Sequence, residues 1–155
     1  MAHSIEVRPF AAADAPALFG LMAQLGYRVP ERETAVRIAD IRKAGGEVFV
    51  AADARGDVLG CVQAMLDVRL AEGRFGEMVS LVVDENGRGQ GLGRLLAAAV
   101  QDWAARRGAF RLRVRCNVAR RETRAFYERL GFKKLKEQSV WELSLEQDGR
   151  LGSLT

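Results

Sequence analysis

The sequence predicts a mixed α/β fold: one sheet with both antiparallel and parallel strand pairs, and helices against it. Three observations lead there. Two apolar runs, residues 48–52 and 58–62, flank the turn signal Asp53-Ala54-Arg55-Gly56-Asp57, the pattern of a hairpin. Residues 79–116 read strand, glycine turn, amphipathic helix, strand, and such a crossover joins parallel neighbours. The 155 residues, 48% hydrophobic, suffice for one domain with a buried core. The expected order is β-α-α-β-β-β-α-β-α-β-β, in a single domain over residues 1–146, with 147–155 as a disordered tail.

Each element has a local reason. Ile5-Glu6-Val7-Arg8-Pro9-Phe10 alternates as a strand does. Asp14 reads as an N-cap, with Pro16 in the first turn, where a missing N–H does no harm. Leu18, Leu21, Met22 and Leu25 share a face until Gly26 ends that helix. Tyr27-Arg28-Val29-Pro30 is a loop, and a second helix covers 33–43 before Gly45-Gly46. The hairpin's second strand continues to about Arg69, and Ala71-Glu72-Gly73-Arg74 turns into a strand ending at Val83. Beyond the glycine turn, Leu92, Leu95, Leu96, Ala99 and Trp103 share a helix face closed by Gly108. A strand over 110–116 and a helix over 121–130, stopped by Gly131, follow. Two last strands are predicted over 133–137 and 140–145. Trp103 and Trp141 read as core or interface residues.

Composition removes several function classes. Cys61 and Cys116 lie in apolar stretches and read as buried free thiols. With no CxxC and no Cys/His cluster, no metal site is expected. The one histidine, His3, is near the N-terminus and offers no base for a Ser-His-Asp or Cys-His hydrolase. No apolar run approaches the length of a membrane span, and the first residues lack a signal peptide's build, so a cytoplasmic protein without a membrane partner is expected. Net charge is +4, from late arginines such as Arg111, Arg113, Arg120 and Arg124. Only Phe126 and Tyr127 interleave with them, which is no stacking platform, so no nucleic-acid partner is expected.

The most informative stretch is Val79-Ser80-Leu81-Val82-Val83-Asp84-Glu85-Asn86-Gly87-Arg88-Gly89-Gln90-Gly91-Leu92-Gly93-Arg94. An apolar strand feeds a glycine turn and then a helix, whose free N–H groups and dipole suit a phosphate or pyrophosphate. No lysine follows the glycines, so it is not a P-loop. Starting from Gly87, Gly89 or Gly91, the third glycine of GxGxxG falls on Leu92, Arg94 or Leu96, so the dinucleotide fingerprint fails too. Arg88-x-x-Gly91-x-Gly93 remains, with glycines where a Cβ would hinder phosphate oxygens.

With Leu81-Val82-Val83 before it and Phe126-Tyr127-Glu128-Arg129-Leu130-Gly131-Phe132 after it, this motif resembles the GNAT superfamily of N-acetyltransferases over residues 5–145. Its acetyl-CoA motif is [RQ]-x-x-G-x-[GA]. The resemblance implies splayed fourth and fifth strands with the pantetheine arm of acetyl-CoA between them. It implies cofactor contacts at Leu81, Val82, Val83, Arg88, Gly89, Gln90, Gly91, Leu92, Gly93 and Arg94. Asn117 could join them by bonding the pantetheine, could bond the fifth-strand backbone, or could simply close a strand-end turn.

Acetyl transfer to an amine needs a base for the ammonium and an acid for the departing thiolate. The family pattern puts the acid at Tyr127, which could otherwise be an aromatic packing residue. Glu77 is the candidate base: if strand alternation holds, it faces the same way as Val79, Leu81 and Val83. A glutamate at this place is similar to the aminoalkylphosphonate acetyltransferase branch, which implies a small-molecule amine. Many relatives carry asparagine where Arg120 stands. Tyr27 and Arg28 are the substrate-side candidates, a pair suited to an amine that also carries an anion or to an ordinary solvated loop. Dimers being common in the family, Trp141-Glu142-Leu143-Ser144-Leu145 is read as a homodimer edge. Beside the enzyme stands a non-catalytic acyl-CoA-binding sensor or interaction module.

Overall fold

The computed structural model describes residues 4–145. The chain forms two compact units, Met1–Ala119 and Arg120–Thr155. The first holds β1 (Glu6–Pro9), α1 (Ala15–Gln24), α2 (Glu31–Lys43), β2 (Glu47–Ala52), β3 (Val58–Arg69), β4 (Gly73–Val83), α3 (Leu92–Arg106) and β5 (Leu112–Val114). The second holds α4 (Arg121–Arg129). The sheet order is β1-β2-β3-β4-β5, antiparallel up to β4 and parallel between β4 and β5. This is the mixed sheet that the hairpin and the crossover predict.

Alternation along β3 sorts side chains onto two faces. Cys61 joins Phe10, Leu18, Leu21, Ile38, Val48 and Val82 in a core under α1 and α2. Burial pushes its thiol up to about 12, so Cys61 stays neutral and inert. Val62 and Ala64, fully buried, take the opposite face. There α3 lies so close that a Cβ on Gly60 would stand 3.1 Å from Leu96 Cδ1, and one on Gly76 3.0 Å from Ala104 Cβ. The buried stripe of α3 is Leu92, Leu96, Ala97, Val100 and Trp103, whereas Leu95 is exposed.

Several expectations need correction. The strands predicted over 133–137 and 140–145 are absent: these residues are exposed and form no ladder among the described residues. Alternation supplies only a preference, and two short strands without a third are marginal on their own. β5 covers three residues rather than 110–116. Cys116 is therefore outside the strand, and exposed rather than buried. Trp103 is core, but Trp141 is exposed. α2 starts at Glu31, ahead of residue 33, because Pro30 serves as its N-cap. His3 and the predicted tail 147–155 lie outside the described residues.

Candidate active site

The site begins at a fault in the sheet. Cys61 pairs with Val82 and Gln63 with Val79, so the single residue Val62 stands opposite both Ser80 and Leu81. That is a β-bulge, and Ser80 takes the left-handed conformation, φ 54°. A bulge withdraws main-chain groups from the ladder and re-aims the strand. It also breaks the expected alternation. Glu77 and Val79 share a face with Gln63 and Cys61, and hence with Val82; Val83, opposite Gly60, has moved to the other face. On its other side β4 pairs with β5 only from Gly76 to Met78. From Val79 to Val83, β4 has no β5 partner.

Beyond Val83 the chain is tied down before it turns. Asp84 N–H donates to the Leu59 carbonyl at 2.7 Å, and the Gln24 amide donates to the Asp84 carboxylate at 2.6 Å. That bond, with the Asn86 and Glu85 N–H groups, holds the Asp84 carboxyl below its usual range. Gly89 and Gly91 have φ of +82° and +76°. An L-residue adopts this region at a cost, so these glycines have a conformational reason of their own. Gly91 is the N-cap of α3, and the first helical bond runs from Leu95 N–H to the Gly91 carbonyl at 3.1 Å. The N–H groups of Leu92, Gly93 and Arg94 stand ahead of it, with no helical acceptor. Arg88, Gln90 and Arg94 are exposed beside them. Donors of this kind, with two guanidinium groups at the edge, fit a pyrophosphate.

Under α1 and α2, on the Cys61 face of the sheet, lies a cavity of about 320 Å³. Leu18, Met22, Ile38 and Ile41 give it apolar walls. Tyr27 and Arg28, the substrate-side candidates, line it from the loop between the helices, and Arg37 lines it from α2. Gln63 and the bulge residue Ser80 line it from the sheet. Thr34, Arg37, Ile38 and Ile41 recur at i, i+3, i+4, i+7, so the face of α2 turned to the cavity was readable in the sequence. Nothing in the sequence marks the bulge.

The remaining candidates are dispersed. Glu77 does not line the cavity; its Oε1 accepts from Arg115 Nε at 2.6 Å. Asn117 lies past the end of β5 and its side-chain oxygen accepts the Ala119 N–H at 2.9 Å, the turn-closing alternative. In the second unit Tyr127 is buried on α4, edge-on to Phe126 at 5.3 Å and to Phe132 at 5.6 Å. Gly131, at φ +97°, ends that helix as predicted.

A strand broken by a bulge, a glycine turn of helix N-terminal N–H groups and a cavity lined by the bulge residue Ser80 thus adjoin on β4. The chain belongs to the GNAT family of acetyltransferases, whose description, Acetyltransferase (GNAT) family, matches residues 16–132. It is 32% identical over 138 residues to glucosamine 6-phosphate N-acetyltransferase 1 of Oryza sativa subsp. japonica, covering 84% of this chain and 82% of that protein. Two solved structures share the fold. An acetyltransferase of Trypanosoma brucei aligns with a TM-score of 0.77 at 23% identity, over 90% of this chain and 100% of that one. The glucosamine-6-phosphate N-acetyltransferase of Arabidopsis thaliana aligns with a TM-score of 0.77 at 22% identity, over 91% and 99%. The chain is thus an acetyltransferase.

Proposed function

We propose that this enzyme moves an acetyl group from acetyl-CoA to the primary amine of a small molecule, by direct attack within a ternary complex. One observation carries the reading. Ser80 belongs both to the bulge and to the cavity lining, and the same strand runs on into the glycine turn. Acceptor space and cofactor cradle are therefore built on one strand.

Acetyl-CoA supplies the acetyl group as an activated thioester. The N–H groups of Leu92, Gly93 and Arg94 hold its pyrophosphate, with Gly89, Gln90 and Gly91 shaping the approach and Arg88 and Arg94 supplying charge. A main-chain N–H within Leu81-Val82-Val83 donates to the oxygen that gains charge during attack. Glu77, whose Oε1 accepts from Arg115 Nε, takes the ammonium proton through water. Tyr127 gives its phenol proton to the leaving thiolate, the role its place in Phe-Tyr-x-x-x-Gly-Phe implies. The glucosamine 6-phosphate acetylated by the rice relative is one acceptor of the right class.

Tyr127→Phe tests the mechanism. It keeps the ring contacts with Phe126 and Phe132 and removes only the hydroxyl. We expect kcat to fall by about 100-fold while the thermal shift given by CoA is retained. A kcat equal to wild type takes Tyr127 out of the reaction.

A further inference from the structure

We propose that the acceptor amine carries an anionic group, phosphate or carboxylate, held by Arg28 and Arg37; this rests on the acetyl-transfer reading above. The cavity's lining is chemically one-sided. Its only charged side chains are Arg28 and Arg37, and no carboxylate lines it among the described residues. An amine arrives as an ammonium. Two guanidinium groups with no carboxylate in the lining repel it, Arg28 with no partner among the described residues and Arg37 with only the exposed Glu33, and repel a polyamine more strongly. A phosphate or carboxylate on the same molecule reverses the sign and converts both arginines into charge-assisted donors.

Both side chains are available for this. Arg28 has no hydrogen-bond or ion-pair acceptor among the described residues. Arg37 pairs with Glu33 at 2.8 Å, an exposed contact along one helical turn. Such pairs are weak and exchange readily for a better acceptor. The layout gives the ligand a direction. Arg28 and Arg37 stand on the α1–α2 loop and on α2, whereas Ser80 and Gln63 stand on the sheet. The anion is held on the helical side, and the amine points to the bulge. Arg28 and Arg37 are thus positioning residues that set substrate class.

The test measures kcat/KM for matched amines by release of free thiol from acetyl-CoA. Glucosamine 6-phosphate is set against glucosamine, phosphoethanolamine against ethanolamine, and glycine against methylamine, with spermidine as the polycation. At least one anionic member should exceed its neutral partner by about tenfold or more, with spermidine at background. Arg28→Gln and Arg37→Gln should each lower that ratio by about tenfold, and Arg37→Lys by less. A CoA-induced thermal shift in each variant shows that it is folded. Neutral amines or spermidine turned over as well as the anionic ones, or ratios unmoved by both glutamine variants, overturn the inference and leave acetyl transfer standing. Thiol release with no amine at all would remove both.

Discussion

Asp14 is almost wholly out of water and accepts three hydrogen bonds, from Arg8 Nη1 and Nη2 at 2.7 and 2.9 Å and from Ala11 N–H at 2.8 Å. It stands at the N-cap of α1, as its sequence position predicts, yet its carboxylate makes no cap bond to the helix. It fastens β1 to the helix start instead. The Arg8 bonds, and then the Ala11 N–H, hold its carboxyl below the ordinary value of 3.8. A depressed folded-state pKa gives stability that is complete above the unfolded value and lost as pH falls through the folded one. Asp14→Ala should therefore lose about 2 kcal/mol in urea unfolding at pH 7, a deficit that shrinks below about pH 4. A deficit independent of pH would mean that the pair is not its source. Glu77 makes a second prediction. Its Oε1 accepts from Arg115 Nε at 2.6 Å. Glu77→Gln should lower kcat/KM about tenfold at neutral pH, with recovery at high pH where the acceptor is already a free amine. An identical pH profile would excuse Glu77 from proton removal.

At the scale of elements, β4 and the turn after it form the candidate site. The turn was legible because left-handed glycines and an apolar strand leave a local mark: Gly89, Gly91 and Val83 can be read without any neighbour. The bulge was not, because it exists only in the register between β3 and β4, and Ser80 is an ordinary strand residue by type. That is why Glu77 could be placed on β4 but its face relative to Val83 could not. Gly91→Ala puts a Cβ into open space, since no atom lies within 4 Å of that position, but forces it to φ +76°. The strain should lower stability by about 1 kcal/mol. CoA affinity, measured by calorimetry, should fall by more than that strain alone explains, because in the proposed cradle the same Cβ would intrude between phosphate oxygens and the N–H groups. Full affinity with only the stability loss would show that the turn is architectural.

For the molecule as a whole, the class of fold was set by features that recur within short windows: the hairpin, the crossover and the caps. The C-terminal region was misread because a strand needs a partner, and alternation at Trp141, Leu143 and Leu145 says nothing of where that partner is. Leu135, Val140, Trp141, Leu143 and Leu145 are all exposed. The homodimer edge implied by the family resemblance falls on this segment, and we propose a second copy of the chain as its occupant. Sedimentation should show a dimer at micromolar concentration, and Trp141→Glu with Leu143→Glu should give a monomer. A wild-type monomer at every concentration would reject this reading.

Amine-dependent release of CoA thiol from acetyl-CoA tests the central claim most directly, since it needs the glycine turn, the bulge and the cavity to work as one site. The account predicts that free thiol appears only when acetyl-CoA and a small primary amine are both present, in step with an N-acetylated product. Thiol that appears equally without amine, or never appears although CoA binds, would contradict it.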